Sequence, residues 1–327
     1  DGVQAAGSKQ LTLTNPDHCL EAMTGAMLPF GTDAVIPYEL ITIEHNLANV
    51  HIDDIKYFQN VHRKGLDRKK NDVLISKNTR LSSAEIGVLA TVGKTKVKVA
   101  KIPRIAIIST GDELVDVDQN PEPYQIRKSN VHSLVSLLKS KGINADSFHL
   151  PDDKGALGKM IKTYLSEYDV LMFSGAVSKG KFDYLPEILK DLGVKKLFHT
   201  VQQRPGKPFW FGKKNNTTVF AFPGNPVSTY ISCLKYFFPW LNKSQEVKSE
   251  PRHYAVLSKV FTFKPPLVYF LQVKLKNDMG VVLADPFEGN GSGDLANLTL
   301  NDAFLELPSN RSEFKKGEVF PMIQYRF

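Results

Sequence analysis

The sequence predicts a multidomain α/β protein: a central, mostly parallel α/β domain flanked by a small β domain and a C-terminal β domain. Three observations predict it. Between residues 102 and 245 short apolar runs alternate with helical periods, the pattern of an open sheet with helices on both faces. Residues 1–66 and 246–327 instead carry short β-branched stretches cut by Gly, Pro and Asn. At 327 residues, 42% apolar and 23% charged, the chain has room for several domains and an ordinary content of core-forming residues.

Within 1–66, Val35-Ile-Pro-Tyr38 and Leu40-Ile-Thr-Ile43 read as strands, punctuated by Gly25, Pro29, Gly31 and Pro37. Residues 67–101 form a linking segment with one short helix: Ser82-Ser-Ala-Glu85 is a capping pattern, and Ile86, Val88, Leu89 and Val92 share a helical face. In 102–245, Ile105-Ala-Ile-Ile108 and Asp169–Phe173 read as buried strands and Thr217–Phe222 as a later one. Helices are expected over Asn130–Lys141, ending at Gly142, over Ala156–Ser166, and over Tyr184–Leu192, ending at Gly193. Beyond 246, strands fall at Tyr254–Phe263, Val268–Leu275 and Val281–Leu283, separated by Pro265-Pro266 and Asn277-Asp-Met-Gly280.

Charge and cysteine content narrow the function. Lys plus Arg total 42 against 34 for Asp plus Glu, a formal charge of +8 that favours acidic small molecules, nucleic acid or an anionic surface. The excess is scattered, and clusters such as Arg68-Lys-Lys70 read as solvated loop ends with no nucleic-acid motif beside them. Cys19 and Cys233 make neither a disulfide framework nor a zinc site, which fits a reducing cytoplasm. No apolar run approaches the roughly 18 to 20 residues that cross a bilayer, so no membrane partner is expected.

The polar motifs fall where a parallel sheet places ligands, beyond the carboxyl ends of its strands. Phe220-Ala-Phe-Pro-Gly-Asn-Pro-Val-Ser228 joins a strand to a helix through a rigid turn, with Asn225 a candidate N-cap, Pro226 at the first helical position, and free N–H groups suited to an anion. A purely structural turn is the alternative. Ser109-Thr-Gly-Asp-Glu113 follows the first buried strand, and its carboxylates could hold Mg²⁺ or cap a helix. Ser174-Gly-Ala-Val-Ser-Lys-Gly180 follows the second and permits close approach to a phosphate or ring. Asp183 reads either as a helix cap or as a catalytic acid. Arg204-Pro-Gly-Lys-Pro208 sets two cations on a stiff turn, which suggests anion binding.

In order along nearly the whole chain, these segments resemble the molybdopterin molybdenumtransferases, the MoeA and gephyrin E-domain family. The segments are Met23-Thr-Gly-Ala26 with Pro29 and Asp33-Ala-Val35, Ser109-Thr-Gly-Asp-Glu-Leu114, Ser129-Asn130, Ser174-Gly-Ala-Val-Ser178, Pro205-Gly-Lys-Pro208, Pro223-Gly-Asn-Pro-Val-Ser228 and Gly291-Ser-Gly-Asp-Leu-Ala296. The resemblance implies an elongated homodimer of four-domain subunits, with 67–101 part of the elongated dimerisation domain and 102–245 as the molybdopterin-binding domain. Adenylated molybdopterin and the substrate molybdate would give molybdenum cofactor and AMP with a divalent cation, here Mg²⁺. A molybdopterin adenylyltransferase is an implied partner.

Carried over, the catalytic residues are Glu113, Asp183, Asp67, Thr24 and Lys207, with Glu113 and Asp183 on the metal. Substrate-binding residues are Thr110, Gly111, Asp112, Ser129, Asn130, one of Asp152 and Asp153, Ser174, Gly175, Ser178, Arg204, Pro223, Gly224, Asn225, Pro226 and Ser228. Departures from the family pattern are Ala176 for a Gly, Arg204 for a frequent Lys, and Lys128 for an acid, which would add positive charge near the pocket. Gln4-Ala-Ala-Gly7 aligns with a strand that in the family follows an acidic segment, so the chain is expected to be part of a longer protein. A gephyrin-like binding scaffold and an adenylyltransferase-type enzyme on the same α/β fold are the alternative functions.

Overall fold

The computed structural model describes residues 1–175, 177, 183–247 and 251–326. It divides into two compact units, Asp1–Ser76 and Lys77–Phe327.

The first unit is short-stranded and loop-rich. β1 (Val3–Gln4) pairs in parallel with β2 (Glu21–Ala22), and β3 (Ile41–Glu44) forms a hairpin with β4 (Leu47–Val50). His45 and Asn46 at the hairpin tip both have positive φ, 51° and 60°, the geometry whose twist matches two-residue hairpins. Gln4 is fully buried and organises the loop that follows: its Nε2 donates to Ser8 Oγ at 2.8 Å and its Oε1 accepts from Leu11 N at 2.6 Å. The expected strand at Val35–Tyr38 does not form. Val35 N donates to Gln59 O, and Pro37, which has no N–H to offer a ladder, leads into a 3₁₀ turn at Tyr38–Leu40.

The second unit begins with α1 (Ser83–Thr91), whose Ser82 cap accepts from Ala84 N while Glu85 accepts from Ser82 N at 2.8 Å, the expected capping box. None of its residues is buried within this chain, so the face of Ile86, Val88, Leu89 and Val92 is not covered as a core stripe.

The central sheet is built from β5 (Ile105–Thr110), β8 (Asp146–Leu150), β9 (Val170–Ser174), β10 (Lys195–His199), β12 (Trp210–Lys214) and β13 (Thr217–Phe222) in the order β10-β12-β13-β9-β5-β8. β13, β9, β5 and β8 run parallel. β12 turns back at Asn215-Asn216 to lie antiparallel to β13, and β10 is antiparallel to β12, so one edge departs from the parallel pattern. A short parallel pair, β6 (Leu114–Val115) and β7 (Ile126–Arg127), projects after β5.

Two apolar layers explain why β5, β9 and β13 read as unbroken apolar runs. Ala106, Ile108, Leu171 and Phe173 pack on α3 (Lys154–Glu167) and α4 (Leu185–Asp191) through Leu157, Ile161, Ile188 and Leu189. Their alternates Ile105, Ile107, Val170 and Met172 pack on α2 (Asn130–Lys139) and on the helical stretch containing Cys233, Phe237 and Leu241. That stretch comprises α5 (Pro226–Ser232), a π segment at Cys233–Phe237, and α6 (Phe238–Ser244). The wider turn precedes Pro239, which cannot donate to the helical ladder.

β14 (His253–Leu257), β16 (Val268–Asp278), β17 (Val281–Pro286), β18 (Ala303–Leu307) and β20 (Val319–Gln324) close into a barrel, since β16 bonds both β17 and β18. β15 (Phe261–Thr262) pairs with β19 (Glu313–Phe314) beside it. Leu271, Val273, Leu305 and Phe314 fill the interior. On the outside, Phe270 and Phe304, with Leu298 of α7 (Asn297–Leu300), pack against Val227 and Ile231 of α5. β11 (Gln203–Arg204) leaves the central domain to pair in parallel with β16, Gln203 opposite Val268 and Arg204 opposite Tyr269. This pairing draws the loop after Arg204 against the barrel.

Candidate functional site

A cleft of about 900 Å³ lies between the carboxyl edge of the central sheet and the barrel. The sheet contributes Thr110 at the end of β5 and Gly111 after it, Asp152 after β8, Gly175 and Val177 after β9, and Pro223–Asn225 after β13. Ligands of parallel sheets sit at this edge because each strand there ends in a loop with free backbone groups.

The acidic side of the cleft carries Glu113, Asp152 and Asp183. Gly111 makes room for the first. At φ 129° it takes a conformation side chains avoid, and an added methyl would overlap the Glu113 carboxylate. Asp152 is placed by its backbone, whose N–H donates to Asp112 Oδ1 at 3.1 Å. Burial, then the facing carboxylates of Asp112, Glu113 and Asp183, push the Asp152 carboxyl above its ordinary range. Asp153 turns away from this group to cap α3, accepting from Ala156 N at 2.7 Å. Tyr184, not Asp183, holds the N-cap position of α4.

Among the described residues no three His, Cys, Asp or Glu side chains form a metal cluster. Glu113, Asp152 and Asp183 could each offer a carboxylate oxygen to a cation whose shell is otherwise water and phosphate oxygens.

The opposite side carries Arg204 and Lys207 on the Pro205-Gly206 turn. The turn is fastened from beneath: Gln203 is buried, its Nε2 donates to Pro205 O at 2.9 Å, and its Oε1 accepts from the Tyr236 hydroxyl. Gly206, at φ 91°, could not bear a side chain without pressing Gln203 Nε2 and Ser232 Oγ, each 3.0 Å from the added carbon.

The floor is the turn into α5. Asn225 occupies the N-cap position with Pro226 first in the helix, yet its side chain makes no cap bond. Its Nδ2 donates instead to Ser292 Oγ at 2.6 Å, and Val227 N donates to Ser292 O at 3.1 Å. One helix-start N–H expected to be free for an anion is thus used by the barrel domain. Asn130, at the start of α2, supports the same turn from behind, donating to Gly224 O at 2.7 Å and to the buried Ser174 Oγ at 2.9 Å. Ser228 lines the cleft.

Ser129 precedes α2 with no side-chain cap bond. Thr24 and Asp67 belong to the 1–76 unit, where both are exposed and Asp67 lies 3.1 Å from His62 Nε2. Ser178 and Ala176 lie outside the described residues. Lys128 does not line the cleft; it pairs with Asp116 at 2.5 Å, so its charge is met there.

The barrel wall went unassigned by sequence. Tyr269, Gln272, Glu288, Asn290 and Ser292 all line the cleft. The Tyr269 hydroxyl donates to Glu288 Oε1 at 2.8 Å, and burial, reinforced by this bond, pushes the phenol well above its usual range. Phe263 stacks on Tyr269 with ring centroids 4.2 Å apart, and Arg204 lies over Phe263. Asp294 shapes the loop around Asn290 and Ser292, accepting from Asn290 N at 3.0 Å and Asn297 N at 3.3 Å. Only the Gly291-Ser-Gly-Asp294 motif signalled any of this.

Comparison with known proteins gives these residues a context. Residues 1–93 match the family model described as MoeA N-terminal region (domain I and II), 106–243 that of a probable molybdopterin binding domain, and 254–325 that of MoeA C-terminal region (domain IV). The chain is 41% identical over 325 residues to a molybdopterin molybdenumtransferase of Synechocystis sp., covering 98% of this chain and 81% of that relative. It is 30% identical over 337 residues to the Bacillus subtilis molybdopterin molybdenumtransferase, covering 99% and 76%. The crystal structure of the molybdopterin biosynthesis MoeA protein from Pyrococcus horikoshii OT3 superposes with a TM-score of 0.81 at 25% identity, covering 99% of this chain and 80% of that one. This chain belongs to the molybdopterin molybdenumtransferase family.

Proposed function

We propose that this chain is a transferase of molybdenum cofactor biosynthesis that inserts molybdate into adenylated molybdopterin and releases AMP. The observation that carries the reading is one cleft with carboxylates on one side and two cations on a stiff turn on the other, in a chain of this family. Breaking the phosphoanhydride to free AMP requires positioning and charge neutralisation more than covalent help from the protein. Arg204 and Lys207 would neutralise the phosphoryl oxygens and the oxyanion. Ser228 and the backbone N–H groups of the turn after β13 would orient the oxyanion.

Glu113 and Asp183 would hold Mg²⁺, which supplies further charge neutralisation at the phosphate oxygens. Asp152, crowded by like charges, would gain most from that cation. Gln203, Asn130 and Asn225 would position these groups through the bonds they make beneath and behind the cleft.

The other parts of the reading concern assembly and supply. Thr24 and Asp67 would complete the site from the small β unit of a second copy in a homodimer. A molybdopterin adenylyltransferase would provide the substrate. The cytoplasm is the proposed compartment: Cys19 and Cys233 are both free thiols. Among the described residues no helix is long and apolar enough to cross a membrane.

Release of AMP when molybdate is added to the protein with adenylated molybdopterin and Mg²⁺ tests the reaction, and light scattering tests the dimer. Tight binding of the pterin substrate with no AMP release on molybdate addition would favour a scaffold instead.

A further inference from the structure

Among the described residues of the cleft, one buried side-chain atom has no hydrogen-bond partner in the protein. Gln272 lines the cleft from β16, and its Oε1 is buried without a hydrogen bond. Its surroundings explain why the protein supplies none. The same outward face of β16 carries Val268 and Phe270, which pack with Val227, Ile231 and Leu298, and Phe304 stands directly opposite Gln272 in the ladder. A leucine would fill this apolar seam, whereas an amide with its acceptor unmet weakens the fold. A polar residue held at such a cost, at the edge of a cleft, is one that a ligand satisfies.

The distribution of charge says which part of the ligand comes here. Among the described residues two cations line the cleft, Arg204 and Lys207, both on the loop after β11, while the described lining residues of the barrel wall include no cation and one carboxylate, Glu288. The anionic parts of a substrate therefore belong at the 204–207 loop, and the barrel wall is left for a neutral, hydrogen-bonding part.

We infer that Gln272 reads a heterocycle of adenylated molybdopterin through a ring edge that presents an N–H donor beside an acceptor. This rests on the proposed reaction. A primary amide meets such an edge with two bonds, Oε1 accepting and Nε2 donating, as it does in bidentate recognition of bases. The pterin and the adenine both carry such an edge. Molybdate, which offers only acceptor oxygens at neutral pH, cannot satisfy Oε1. Gln272 is thus a specificity-determining residue for the organic substrate, not for the oxyanion.

The test combines thermal denaturation of Gln272→Leu and Gln272→Glu with calorimetric titration of molybdopterin and of AMP, each alone, and with the KM for molybdate. For Gln272→Leu the melting temperature should equal or exceed that of the unsubstituted protein. Affinity for one of the two organic probes should fall about ten-fold, the scale of losing one net hydrogen-bonded pair. The KM for molybdate should not move. Gln272→Glu sets a carboxylate oxygen against the ring acceptor that Nε2 would meet, so its affinity for the same probe should fall at least as far as that of Gln272→Leu. A loss confined to molybdopterin places the pterin edge at Gln272, and a loss confined to AMP places the adenine there. A lowered melting temperature with both affinities intact would make the amide structural and overturn the inference. So would an effect confined to the molybdate KM. Absence of AMP release by the unsubstituted protein would overturn the proposed reaction as well, whereas normal release with insensitive variants overturns only the assignment of Gln272.

Discussion

Asn225 Nδ2 donates to the Ser292 hydroxyl at 2.6 Å, fastening the turn after the central sheet to the loop that leaves the barrel. Ser292 O takes Val227 N–H in the same place, so two bonds cross the floor of the cleft. An N-cap residue usually spends its side chain on its own helix. Here it is spent on holding two walls at one spacing. Asn225→Ala and Ser292→Ala should each lower stability by about 1 kcal/mol, with a coupling of ~0.5–1 kcal/mol in a double-mutant cycle by chemical denaturation. Additive losses would mean that the bond does not join the walls.

Lys207→Ala should weaken binding of adenylated or phosphorylated pterin by roughly ten-fold, the scale of one charge-assisted contact. Lys207 stands on a turn that Gln203 braces from below, so removing its amine leaves the turn in place and isolates the effect of charge. Unchanged affinity by calorimetry would make Lys207 an ordinary surface cation.

Asn130→Asp offers a sharper probe of positioning than alanine. The amide donates to both Gly224 O and Ser174 Oγ, and a carboxylate would set an acceptor against the carbonyl. We expect a stability loss of ~1–3 kcal/mol, the range for an unmet buried group, and weaker substrate binding although Asn130 does not line the cleft. Thermal denaturation alongside titration separates the two effects, and wild-type values in both would show that the turn stands without its support.

The sheet wall of this cleft was legible because its residues follow strands that are legible themselves. β5, β9 and β13 are buried on both faces, so they appear as unbroken apolar runs, and whatever polar residues come next must stand at the carboxyl edge. The antiparallel edge was harder to see. β10 is mostly exposed, and its lysines mask the strand pattern. The barrel wall was not legible at all. Tyr269 and Gln272 lie inside an eleven-residue strand with no turn chemistry to mark them, and they reach the cleft through the pairing of β11 with β16, a contact between distant parts of the chain. Local pattern also misjudged Asn225, since the residue and position of an N-cap say nothing of a competing partner 67 residues later.

Glu113→Gln and Asp183→Asn should slow AMP release by about 10² or more with the fold intact, a rough scale for removing electrostatic or metal support. Glu113 folds back over Gly111, and Asp183 precedes α4 without holding its cap position. Normal turnover of both variants with Mg²⁺ present would remove them from the catalytic group.

Asp152 gives the cleft a pH signature. Burial and the facing carboxylates of Asp112, Glu113 and Asp183 raise its carboxyl above the ordinary 3.8. A raised acid keeps in the folded state a proton that the unfolded chain has already released. Its contribution is therefore fully present below the unfolded value and is lost as the pH climbs through the raised folded value. Above that point the charged carboxylate works against the fold, and its neighbours make it worse. Asp152→Asn, which stays neutral, should melt at a higher temperature than the unsubstituted protein at pH 7, and the gap should shrink toward zero as the pH falls to about 4, near the ordinary carboxylate value. Added Mg²⁺ should narrow the gap at pH 7 by stabilising only the protein that retains the full acidic group. Melting curves taken in steps between pH 4 and pH 8, with and without Mg²⁺, check both points. A gap that stays constant across that range would show that Asp152 does not feel the neighbouring carboxylates, and the acidic side of the cleft would then lose its claim to a cation.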